Sequence, residues 1–196
     1  MAVLNMILRL IAGINNVVLA IGRNIAWVAL ALMVVVILIQ IFFRYALNNA
    51  LPWPDEAARF LMLWMTGLIA PSGLRQGGFV AIDTLPRMMS QRLASLLMLI
   101  ILVLAAVVLA MAISIGWQHT MGFGGNFDSS SLKIPLDWFG GESMRVKLRY
   151  MYGSLLVGVI LMLAVTVELI LRNLISVLDP DQDLPDLNAQ DMAGAD

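Results

Sequence analysis

The residues with most capacity for chemistry sit close together: Arg44-Tyr45, then Trp53-Pro54-Asp55-Glu56-Ala57-Ala58-Arg59. Two adjacent carboxylates beside arginines raise the question of paired acid–base catalysis. Successive helical positions point about 100° apart, so Asp55 and Glu56 do not converge on one water as a catalytic pair must. Arg59 lies four residues beyond Asp55 and three beyond Glu56, on their helical face. Arg44 is placed to close on the same carboxylates across a short connection. Three readings stay open for Arg44, Trp53, Asp55, Glu56 and Arg59: a structural ion-pair network, a docking surface for a partner, and a proton or ion pathway.

Other chemistry is sparse. The chain has no cysteine, which excludes disulfides, thiolate metal sites and thiol nucleophiles. His119 is its one histidine and has no companion at ligand spacing, so no metal site and no cofactor are expected. Glu168 stands four residues before Arg172, the spacing of a local helical ion pair. Gly122, Gly124 and Gly125 follow no strand and precede no Gly-Lys-Ser/Thr, so they mark a turn-rich loop rather than a phosphate cradle.

The elements that must position these groups are apolar. Four stretches run from Ile25 to Phe43, Ala57 to Leu74, Leu93 to Gly116 and Tyr150 to Leu171. At about 1.5 Å per residue each can cross a hydrocarbon core about 30 Å thick, the second with help from its flanks. Pro54 suits the first position of a helix, and Asp55 and Glu56 suit its positive end, so the second helix is expected to start there. Hydrophobic residues make up 61% of the chain and charged residues 13%, which leaves little for a soluble catalytic domain. A net charge of −1 points away from nucleic acid. The fold class is therefore all-α: an integral membrane protein of four transmembrane helices whose partners include membrane lipids.

The flanks differ from the core. Residues 1–22 carry Leu4, Ile7, Leu8, Ile11, Ile14, Val18 and Ile21 at helical spacing, interrupted by Asn5, Arg9, Asn15 and Asn16. They read as an interfacial helix or as the extension of the first span. Residues 23–172 form the membrane domain. Residues 173–196, rich in Asp and without basic residues, are expected to be a disordered acidic tail. An even number of spans puts both termini on one side. Basic residues tally equally on the two sides, and the short loop Arg75–Arg92 with three arginines favours the cytoplasm for that side. Small residues recur every fourth position at Ala106/Ala110/Ser114, Ser154/Gly158 and Thr66/Ala70, candidates for close helix contacts.

Arg44-Tyr45, Trp53-x-Asp55-Glu56-x-x-Arg59, Trp64, Gly67, Ala70, Arg75-Gln76-Gly77-Gly78-Phe79-x-x-x-Asp83 and Ser131-Leu132-x-Ile134-Pro135-x-x-Trp138 occur in that order. Together they resemble the small membrane subunit (DctQ-like) of the tripartite ATP-independent periplasmic (TRAP) transporters. Asp55 stands where that family usually has glutamate, and Phe79 where it commonly has histidine. The resemblance implies a non-catalytic scaffold in a bacterial inner membrane. Its partners would be a large TRAP membrane subunit, which carries substrate and sodium sites, and a periplasmic substrate-binding protein. The cargo would be an organic acid.

The residues are compatible with such a role. Ionisable groups inside the spans are few, Arg59 and Glu168 near span ends, whereas carriers keep polar groups or broken helices at the midplane. Pro71 with Gly73 is the internal breaker, expected to kink or end the second helix. Two other classes compete. A membrane-anchor subunit of a redox complex would carry histidines within its helices. A small self-assembling channel would need a polar or small-residue stripe along a whole helix.

Overall fold

The computed structural model describes residues 2–77, 91–134 and 144–178. Four long helices dominate: α1 (Ala2–Tyr45), α2 (Pro54–Arg75), α3 (Gln91–Met121) and α4 (Arg149–Leu178). All four are long and apolar enough to cross a membrane. Between α3 and α4 come a short 3-10 turn (Phe123–Asn126) and two strands, β1 (Asp128–Ile134) and β2 (Met144–Lys147). The strands pair antiparallel, with Lys133 opposite Arg145 and Asp128 opposite Lys147. This small hairpin is an addition to the all-α expectation and lies outside the bundle.

The N-terminal segment and the first span are one unbroken helix. Nothing in Ala2–Tyr45 breaks the helical hydrogen bonding, because it holds no proline and its glycines are isolated. Its 44 residues make a rod of roughly 66 Å, more than twice the hydrocarbon thickness. Such a rod must tilt or reach beyond the core. At the other end of the chain, α4 runs past Arg172 to Leu178, so residues 173–178 are not tail. Ile175 there is fully buried, and Asn173 Nδ2 donates to Ser95 O at 2.8 Å. Leu174, Ile175, Val177 and Leu178 continue the apolar pattern, which ends only at Asp179-Pro180. The acidic residues from Asp179 onward lie outside the described residues, as do Phe79, Asp83 and Trp138 of the motif blocks.

The helices alternate in direction. Trp64 Nε1, midway along α2, donates at 3.1 Å to Tyr150 O in the first turn of α4, and Arg75 at the end of α2 meets Glu168 further along α4, so α2 and α4 run the same way. Asn15 of α1 reaches Glu168, and Ser95 of α3 reaches Asn173. The starts of α1 and α3 and the ends of α2 and α4 therefore share one end of the bundle, here the N-terminal end. Tyr45, Trp53 and the β-hairpin share the other, the hairpin end.

Where α2 crosses α4, packing relies on small residues. A Cβ on Gly67 would stand 2.5 Å from Ser154 O, and one on Gly158 would stand 2.8 Å from Gly67 O and 2.9 Å from its Cα. The α2 and α4 backbones touch there, as small residues allow in a membrane, where no hydrophobic force drives helices together. Pro71 deepens the contact. It cannot donate to the Gly67 carbonyl four residues back, and that freed oxygen faces Gly158. Pro71 does not end the helix, which runs on to Arg75. Gly77, at φ 95°, takes the left-handed conformation that closes it.

Two of the small-residue stripes do not face this chain's own helices over their full length. Thr66 is exposed and Gly67 makes the α2 contact. On α3, Ala110 and Ser114 are exposed, while Leu102, Gly116 and Thr120 turn inward, and a Cβ on Gly116 would meet Leu156 Cδ1 at 3.3 Å. Spacing of four selects a helical face without saying what that face meets.

Candidate functional site

At the hairpin end, α2 begins at Pro54, with Trp53 as its cap residue and Asp55 and Glu56 in the first turn. Glu56 occupies the third helical position, where a glutamate often folds back on its own cap. Here it reaches outward to β1. Its Oε2 accepts from Ser131 N at 2.7 Å, Ser131 Oγ at 2.5 Å and Leu132 N at 3.0 Å, with Ser130 Oγ at 3.4 Å. Two consecutive backbone N–H groups and a hydroxyl on one carboxylate oxygen form an anion nest supplied by the chain itself. Two of the sequence blocks, 75 residues apart at Glu56 and Ser131, are thus one contact.

An ion-pair network of Arg44, Asp55, Glu56 and Arg59, the first of the three readings, is not what holds this end. Among the described residues, Arg44 and Arg59 make no ion pair with Asp55 or Glu56. Arg44 is exposed and lies over the ring of its neighbour Tyr45, 5.9 Å from the centroid. Asp55, Arg59 and Trp53 are exposed as well. Helical spacing brought Asp55 and Arg59 to one face. At a wet helix end, however, a surface pair contributes little against side-chain entropy, and Glu56 has better donors.

The second cluster lies at the N-terminal end and is deeply buried. The Glu168 side chain is fully enclosed. Its Oε1 accepts from Arg75 Nη2 at 2.8 Å, and from Arg172 Nε at 3.0 Å and Nη2 at 2.9 Å. Its Oε2 accepts from Asn15 Nδ2 at 2.7 Å. Arg75 also donates from Nη1 to Asn16 Oδ1. One carboxylate therefore ties α1, α2 and α4 together, with two guanidinium groups around it.

The local pair Glu168–Arg172 is present as its spacing indicates, but the partner distant in sequence, Arg75, was not legible from it. A signal existed. A carboxylate inside an apolar helix requires donors, and Asn15, Asn16 and Arg75 are the polar interruptions of α1 and α2 at the matching depth. Among the described residues no group of three or more His, Cys, Asp or Glu is placed to hold a metal ion. His119 Nδ1 lies 2.9 Å from Ile115 O, and the ring packs edge-on against Tyr152, 6.4 Å between centroids.

Four membrane-length helices, joined by backbone contact and one buried charge cluster, define a multi-pass membrane protein. Residues 33–175 match the family model of the DctQ component of the tripartite ATP-independent periplasmic transporters. The chain belongs to that family and is a TRAP transporter membrane component. The match takes in the hairpin-end cluster, Arg75 and Glu168, and leaves Asn15 and Asn16 outside. A comparison with curated proteins finds no match.

Proposed function

We propose that this chain is the small, non-catalytic scaffold subunit of a TRAP-type secondary transporter that imports an organic acid, coupled to sodium, across a bacterial inner membrane. It assembles with the large membrane subunit, which carries the cargo, and works with a periplasmic substrate-binding protein. Both termini face the cytoplasm, which puts the hairpin end on the periplasmic side. Arg44, Trp53, Asp55 and Arg59 form the docking surface, and Glu56 holds its shape by anchoring β1 to α2.

The observation that carries this reading is the state of Glu168. A transported ion or anion needs groups that can release one partner and take another. Glu168 is enclosed and saturated by Arg75, Arg172 and Asn15, so it cements helices rather than passing cargo. The test is reconstitution. Vesicles with this chain alone should show no sodium-dependent uptake of an organic acid, and uptake should require the large subunit and the binding protein. Uptake by this chain alone would overturn the reading.

A further inference from the structure

At the hairpin end α1 and the start of α2 border a cleft of about 210 Å³, lined by Ile37, Gln40, Ile41, Arg44, Tyr45, Pro54 and Asp55. Its chemistry is graded along α1. Ile37 and Ile41 make the part nearer the bundle centre apolar, while Arg44 and Asp55 put a cation and an anion at the mouth. Arg44 and Asp55 form no ion pair with each other or with any other described side chain. Gln40 is buried, and its Oε1 accepts no hydrogen bond from any described group. A buried amide oxygen without a donor is costly in a membrane, and natural structures rarely keep one.

Gln40 Oε1 thus lacks an N–H donor, and beside it Arg44 offers a site for an anion and Asp55 a site for a cation. An anionic ligand answers only Arg44. A zwitterion with a primary ammonium answers all three in one small molecule. We infer that this cleft binds the headgroup of a zwitterionic phospholipid with a primary ammonium, a phosphatidylethanolamine, its phosphate on Arg44 and its ammonium on Asp55 and Gln40 Oε1. An acyl chain then follows Ile41 and Ile37 into the hydrocarbon region, and Tyr45 sits at headgroup level, where aromatic rings favour the interface. The inference rests only on α1 and α2 spanning a bilayer. Arg44 and Asp55 then contribute to the docking surface through the bound lipid, and Trp53 and Arg59, which do not line the cleft, contribute to it directly.

The test uses the full chain purified in mild detergent, exposed to an equal mixture of phosphatidylethanolamine, phosphatidylcholine and phosphatidylglycerol, with retained lipid counted by native mass spectrometry. Phosphatidylethanolamine should be enriched roughly tenfold over both others, since phosphatidylcholine lacks the N–H donors and phosphatidylglycerol lacks the cation. Gln40→Leu, Arg44→Gln and Asp55→Asn should each remove most of that enrichment, and Lys147→Gln, at an exposed site on β2, should keep it. Gln40→Leu also serves as the folding control. It removes a buried oxygen that lacks a donor, so its melting temperature should hold or rise while lipid selectivity falls. Equal retention of the three lipids, a preference for phosphatidylglycerol, or full selectivity in Gln40→Leu and Asp55→Asn would each overturn the assignment. Because the readout involves neither transport nor the large subunit, its failure is separate from any failure of the scaffold reading.

Discussion

Arg75, the last residue of α2, holds the fully buried carboxylate of Glu168 in α4 at 2.8 Å, across 93 positions of sequence. Arg172 and Asn15 complete the shell, so a single acidic side chain fixes three helices at one depth.

Removing that acid should be the most damaging single charge change in the bundle. Glu168→Ala leaves two guanidinium groups uncompensated in a buried site, a loss of about 3–5 kcal/mol. Glu168→Gln keeps an acceptor and should lose less. Arg172→Ala should be milder still, because Arg75 remains. Thermal unfolding of the purified chain in detergent gives the order directly. A melting temperature unchanged in Glu168→Ala would refute the clamp.

The Gly67–Gly158 seam should reject any side chain. Gly67→Ala and Gly158→Ala push a methyl group into backbone at under 3.0 Å, and should each cost about 1–3 kcal/mol, with valine worse. Gly13 and Gly153 have nothing within 4 Å of an added Cβ. Alanine there should be neutral or stabilise by about 0.5–1 kcal/mol through helix propensity. Melting curves for the four variants separate contact from propensity.

Glu56 should govern the order of β1 more than the stability of the bundle. In Glu56→Gln, the Ser131 and Leu132 amides lose an anionic acceptor, and their hydrogen exchange should accelerate about tenfold or more. Exchange within α4 should barely change. Co-purification with the large subunit should fall as the docking surface loosens, with substrate affinity of the assembled transporter unaltered. Altered substrate or sodium affinity in a normally assembled complex would instead put Glu56 on the transport path.

Topology has its own check. A reporter active only in the periplasm should be active when inserted near Gly124, in the 3-10 turn at the hairpin end, and silent when fused after Asp196. The reverse pattern would put the docking surface on the cytoplasmic side.

Hydropathy and helix length alone determined the class of this protein, because a bilayer accepts few architectures and an apolar run of about 20 residues has essentially one way to satisfy its backbone there. The start of α2 at Pro54 was equally local, set by a fixed φ and two acids at a helix N-terminus. The ordered motif blocks, from Arg44 to Trp138, carried the family.

Pairing was another matter. That Glu56 meets Ser131 and not Arg59, that Glu168 takes Arg75 as well as Arg172, and that Gly67 rather than Thr66 touches α4 all depend on how helices rotate and at what depth they stop. A periodicity of four residues defines a stripe on a cylinder, and nothing in that stripe says which neighbour it faces. Only tertiary packing decides it, because a buried carboxylate must be satisfied, and a freed carbonyl beside a glycine lets two backbones close.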